Sequence, residues 1–151
     1  PGAHAGKHLG TEQFGFPDPE IPGEVFITQK MLDEGMIYPN MNGQLVFKTA
    51  VVKFPEVIQE ALQKTGYQAS DIDMFIPHQA NLRISAFVQK KLGLSDEKVY
   101  NNIQKYGNTT AASIPIALCE AWEEGKIKKG DLVCLAAFGA GFTWGSALIK
   151  W

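Results

Sequence analysis

Three short stretches of this 151-residue chain hold side chains able to do chemistry: PHQAN at 77–81, YGNTTAAS at 106–113 and FGAGFTWG at 138–145. His78 follows an apolar run, where an imidazole can be fixed neutral with one ring nitrogen aimed at a cavity. Asn108 stands just before a predicted helix, and the third stretch is a glycine turn between two predicted strands. Strand ends and helix starts are where α/β proteins bring ligands to backbone N–H groups, so His78 and Asn108 are placed to converge on one site. Arg83, Lys90 and Lys91 add a basic face, because Arg83 and Lys90 are two helical turns apart. Each feature alone has an ordinary structural explanation: a satisfied histidine at a strand end, a cap or turn asparagine, a hairpin, a solvated helix surface.

The elements that must position these residues follow from periodicity. Leu45, Val46, Phe47, Ala50, Val51, Phe54, Ile58, Ala61 and Leu62 recur at helical spacing, with Gly66 as a stop and Pro55 as an expected kink. DIDMFIP reads as a short buried strand ended by Pro77. Leu82, Ile84, Phe87, Val88 and Leu92 mark the next helical face, closed by Gly93. Ser95 starts a turn, and Val99 to Ile103 reads as a short strand or extended piece. Thr109 or Thr110 is the expected cap of a helix carrying Ile114, Ile116, Ala117, Leu118, Ala121 and Trp122 up to Gly125. KGDLVCLAAFG is a turn and a continuous apolar strand, GAGF a tight turn, and TWGSALIKW a final strand. This order describes an α/β layer with helices packed on a mixed sheet.

Residues 1–40 differ in texture, reading as an irregular Gly/Pro-rich, linker-like segment with one short element at EVFIT. His4 and His8 are four apart, a metal-ligand spacing only on a helix, and the glycines around them argue against one; no metal site is expected. A net charge of -2 excludes a strongly basic nucleic-acid binder. No apolar run approaches the roughly 20 residues of a membrane-spanning helix. Cys119 and Cys134 lie in apolar segments, which predicts buried thiols suited to a reducing cytoplasm. The chain opens on Pro1, so a fragment or processed product is expected.

From about Met41 to Trp151 the sequence resembles the C-terminal half of the β-ketoacyl-acyl carrier protein synthase III family, thiolase-fold condensing enzymes that initiate bacterial fatty acid synthesis. PHQANLRI, YGNTTAAS and AFGAGFTWGSALIKW carry the resemblance, in order and spacing. It implies an α/β, thiolase-like half with helices packed on a five-stranded mixed sheet, residues 41–151 being the C-terminal domain. It assigns His78 and Asn108 to an active site completed by a cysteine from an N-terminal half, since neither Cys119 nor Cys134 has the setting of a reactive thiolate.

The roles implied are physically reasonable. An imidazole N–H and an amide N–H together can hold the thioester carbonyl of a malonyl group as it loses carbon dioxide. The resemblance further gives the backbone N–H near Ala140 to an oxyanion hole. Met41, Gly43, Phe47 and Ala50 fall to a pantetheine tunnel, and Asn81 to a hydrogen bond with the same arm; Phe47 and Ala50 fit plain core positions equally well. Lys48, Arg83, Lys90 and Lys91 become a docking patch for acyl carrier protein. The implied substrates are an acyl-CoA and malonyl-acyl carrier protein, with no cofactor, and the implied complete enzyme is a homodimer. Two other readings stay open: a related starter condensing enzyme of alkylquinolone or polyketide type, and a non-catalytic half that only binds carrier protein.

Overall fold

MFIP forms a strand, β1 (Met74–Pro77), whose four residues are all buried. A strand covered on both faces has no solvent side to mark, which is why its sequence runs apolar without alternation. The structure is a computed structural model and describes residues 29–35 and 41–151. The EVFIT element and the His4/His8 pair lie outside the described residues. Two compact units divide the chain, Pro1–Lys48 with Gly139–Thr143, and Thr49–Phe138 with Trp144–Trp151.

In the first unit the described residues are a short helix α1 (Gln29–Asp33), the opening of a long helix α2 (Gly43–Thr65), and the turn at 139–143. The Asn42 side-chain oxygen accepts the Leu45 N–H at 3.0 Å, which caps α2. At the turn Gly141 has φ 141°, and a Cβ there would meet the Thr143 backbone nitrogen at 2.9 Å, so only glycine fits.

The second unit holds the sheet and its helices. β1 pairs in parallel with β2 (Leu132–Gly139), Met74 opposite Val133 and Pro77 opposite Ala136. β3 (Thr143–Lys150) follows β2 after a short turn and lies beside it, giving the order β1-β2-β3. A connection this short makes the β2/β3 pair antiparallel, so the sheet is mixed. Between β1 and β2 the chain builds α3 (Leu82–Leu92), α4 (Ile103–Tyr106) and α5 (Ser113–Glu123). Met74, Ile76 and Val133 on one sheet face pack with Ala117 and Ala121 of α5, Tyr100 and Ile127, and Ile114, Leu118, Leu135 and Ile149 close the edge of this core. The small Ala117 and Ala121 let α5 approach the sheet closely. Beside β3, the Ser146 hydroxyl donates to the Val57 carbonyl of α2 at 2.8 Å, and Trp144 stacks on Phe138 with ring centroids 6.2 Å apart.

Several sequence expectations need correction. Three strands are present among the described residues, not five: at Val99 to Ile103 a single bridge to Phe75 is followed by the turn of α4, because Gln79 takes the backbone N–H groups that a longer strand would have paired. Neither Thr109 nor Thr110 caps α5 with its side chain; a 3-10 turn at Thr110–Ala112 leads into the helix instead. Leu82, Phe87 and Trp122 are exposed, whereas Ile84, Val88 and Leu92 hold the buried stripe of α3. α2 continues through Pro55. Gly66 (φ 78°) and Gly93 (φ 70°) end their helices in the left-handed conformation, as their positions predicted.

Candidate active site

Leaving β1, the chain keeps one more ladder bond, the His78 N–H donating to the Ala136 carbonyl at 2.8 Å. That bond fixes the backbone of the histidine to the central strand. The imidazole is half-buried, and its Nδ1 lies 2.6 Å from the Ser113 hydroxyl at the start of α5. Burial alone pushes the ring's pKa below its ordinary 6.5, so the neutral imidazole is the resting form at neutral pH.

Gln79 is the buried key to the loop, 3% exposed. Its amide nitrogen donates to the carbonyls of Pro77 (2.7 Å) and Tyr100 (3.3 Å), and its oxygen accepts the N–H groups of Asn102 (3.0 Å) and Ile103 (3.2 Å). One carboxamide thereby pins the exit of β1 to the segment that becomes α4. Asn102, itself buried, passes the connection on by donating to Glu120 of α5 at 2.8 Å. Glu120 also accepts from the Tyr106 hydroxyl and from Lys105 at 3.3 Å, and these donors hold its carboxyl down to about 2.

α4 delivers the chain through Gly107, at φ 68°, to Asn108. The exposed Asn108 uses its side-chain oxygen to accept the Thr110 N–H at 2.9 Å. This turn fixes the side chain while committing its carbonyl, so the amide N–H groups are the part available to a ligand. Thr110 sits at φ 53°, an unusual conformation for a β-branched residue. His78 and Asn108 are thus both referred to the entry of α5, one through Ser113 and the other through the turn leading into it.

Residues 62–151, more than half of the chain, match the family model described as 3-oxoacyl-[acyl-carrier-protein (ACP)] synthase III C terminal. The chain belongs to that family. A β-ketoacyl-[acyl-carrier-protein] synthase III of Campylobacter jejuni is 53% identical over 131 residues, covering 85% of this chain and 40% of the relative. The 3-oxoacyl-[acyl-carrier-protein] synthase III structure from Aquifex aeolicus superposes with a TM-score of 0.74 at 51% identity, over 76% of this chain and 37% of that one. Its counterpart from Thermus thermophilus gives 0.73 at 49%, over 74% and 35%. The chain spans about two fifths of the length of the Campylobacter relative. The α/β architecture is accordingly thiolase-like, as the sequence resemblance implied.

Within this synthase III C-terminal family fold, the other candidate residues fall into separate settings. Asn81 caps α3, its side-chain oxygen accepting the Arg83 N–H at 2.9 Å. Arg83, Lys90 and Lys91 are exposed on the same helix. Ala50 is fully buried in the second unit, in keeping with the core position it also fits. Met41, Gly43, Phe47, Lys48 and Ala140 belong to the first unit. Met41 is 64% exposed, Gly43 and Lys48 are exposed and Phe47 is half-buried. Ala140 has no positive φ, so alanine is unstrained where the turn's N–H is presented.

The expectation of two buried thiols holds for one. Cys134 is buried in β2 and pushed up to about 12, while Cys119 is exposed on α5. Its pKa is raised by the Glu123 carboxylate, whose oxygen lies 3.6 Å from the sulfur. Both thiols are held protonated, the opposite of what a nucleophile needs. Among the described residues no three His, Cys, Asp or Glu side chains gather as metal ligands would, and no helix is long and apolar enough to cross a membrane. Gln79 and Ser113 are the residues that sequence reasoning missed. Four bonds to one buried glutamine have no sequence signature, and a serine opening a helix reads as a cap.

Proposed function

We propose that this chain is the His/Asn half of a 3-oxoacyl-acyl carrier protein synthase III, an acyltransferase that starts fatty acid synthesis by decarboxylative condensation. The observation that carries the reading is the neutral, backbone-anchored His78 beside the α5 entry that also holds Asn108, inside the family-matched residues. In the complete enzyme an acyl-CoA loads a cysteine of the N-terminal half and CoA leaves. Malonyl-acyl carrier protein then enters, and the C–C bond to its carboxylate breaks with release of carbon dioxide. The bonding electrons form an enolate whose oxygen accepts hydrogen bonds from His78 and Asn108. The enolate carbon attacks the acyl thioester, a C–C bond forms, and the cysteine sulfur departs as thiolate. In this reading Asn81, at the start of α3, hydrogen-bonds the pantetheine arm.

The raised pKa values of Cys119 and Cys134 support a nucleophile from elsewhere. They also support a second reading, a non-catalytic half that only positions carrier protein. His78→Ala in the full-length protein separates the two. On the first reading it abolishes malonyl decarboxylation and spares acyl transfer to the cysteine; an unchanged decarboxylation rate removes it. Carrier protein against CoA as malonyl donor distinguishes synthase III from a related starter condensing enzyme.

Acyl carrier protein docks, in this proposal, on the basic face of α3 that carries Arg83, Lys90 and Lys91. Arg83→Glu slows association at low salt, because a rim charge acts mainly on the on-rate; binding kinetics identical to the parent protein at low salt contradict the patch. Residues 41–151 form the condensing domain and 1–40 a linker-like lead. The complete enzyme is a cytoplasmic homodimer, and light scattering that finds a monomer at working concentration counts against that.

A further inference from the structure

Ser113 is 2% exposed and opens α5 without acting as its cap. Its hydroxyl oxygen accepts the backbone N–H of Gln79 at 3.3 Å and meets His78 Nδ1 at 2.6 Å. The Gln79 bond has only one possible direction, since a backbone N–H can only donate. It occupies one lone pair of the serine oxygen and leaves the hydroxyl proton to be placed. Among the described residues the acceptor for that proton is His78 Nδ1. Were Nδ1 to carry the ring proton instead, a buried hydroxyl would be left without an acceptor, an arrangement native interiors avoid. The imidazole is neutral because burial disfavours its charged form, so one ring nitrogen carries a proton and the other does not.

We propose that Ser113 is a positioning residue that holds His78 in the Nε2–H tautomer, turning the ring nitrogen opposite the serine into a committed hydrogen-bond donor. The proposal deepens the reading of His78 as an enolate-stabilising residue and rests on it for its catalytic consequence. A donor at Nε2 suits an oxygen that gains negative charge; an acceptor there would repel it. The same serine oxygen holds the Gln79 N–H, so the tautomer and the path of the loop are set by one atom. The ladder bond from His78 N–H to Ala136 fixes the histidine's backbone, and the Ser113 bond then sets the ring's direction and its protonation together.

The experiment uses the complete protein containing this chain, with 15N-labelled histidine and long-range 1H–15N correlation spectra at neutral pH. His78→Gln identifies the His78 resonances by their loss. The expected pattern is an unprotonated Nδ1 and a protonated Nε2 in the parent protein, averaged towards a mixture in Ser113→Ala and restored in Ser113→Thr. An Nδ1–H pattern in the unmutated protein overturns the proposal without any variant having to fold. Activity gives a second readout: Ser113→Ala lowers the rate of malonyl decarboxylation at least tenfold, with acyl loading and the KM for the malonyl thioester little changed. Equal loss in both half-reactions means a structural role and overturns it. Because the tautomer is read without turnover, an Nε2–H ring in a protein whose decarboxylation ignores His78→Ala would sink the active-site reading while leaving the role of Ser113 standing.

Discussion

At the scale of single residues, the site is a matter of which protons are where. His78 is kept neutral by burial, and the folded protein therefore resists protonating it at a pH where an exposed histidine would already be half charged. An imidazolium cannot accept from Ser113, so protonation reverses the Nδ1 bond, leaves the buried serine proton without that acceptor and introduces a charge. With the folded pKa below 6.5, the unfolded chain binds the proton first as pH falls, so the stability present above 6.5 is lost as pH falls through the folded pKa. Stability to urea measured against pH should show an acid limb with its midpoint below 6.5. A limb centred above that value would mean that some other group controls it. His78 itself was legible from its place after an apolar run. Ser113 was not, because the two are 35 residues apart and nothing local links them.

At the scale of elements, the loop after β1 and the segment before α4 are held by one side chain. Gln79, itself buried, satisfies two backbone carbonyls and two backbone N–H groups. Its removal leaves buried groups unpaired, each at roughly 1–3 kcal/mol. Gln79→Ala should destabilise the protein by about 3 kcal/mol, read as a lower denaturation midpoint in urea. A shift within error of zero would mean that the loop repairs itself. The helices themselves were readable: α3 from its Ile84, Val88 and Leu92 spacing and Gly93, α2 from its apolar stripe and Gly66. The Val99 to Ile103 expectation failed because residues with strand-like composition had their N–H groups taken by Gln79 before a ladder could extend.

Within the second unit as a whole, the sheet core decides whether the site exists at all. Phe75 is completely buried in β1, one residue from the strand position that pairs with Leu135 and three from His78. Its truncation opens a cavity beside the strand that leads to His78. Phe75→Ala should lower stability by about 4 kcal/mol, with urea denaturation as the measurement. A loss of under about 1 kcal/mol would show that the core collapses to fill the space. The acidic and basic groups of α5 and the preceding segment contribute differently: Glu120, at about 2, is charged throughout the working range and acts as a fixed acceptor tying Asn102, Lys105 and Tyr106 together.

By itself the sequence determined the helices and strands with strong periodicity, the glycines that end them, and the family, because each of those is written in residues close together along the chain. PHQAN, YGNTTAAS and FGAGFTWG also marked the candidate site without any coordinates. Only the tertiary structure decided how many strands form the described sheet, which apolar residues face water, and that Cys119 lies at the surface rather than in the core. It alone placed Gln79 and Ser113 at the centre of the site. Burial and hydrogen-bond partnership depend on chain segments 21 to 35 residues apart meeting in space, and local pattern carries no record of that meeting.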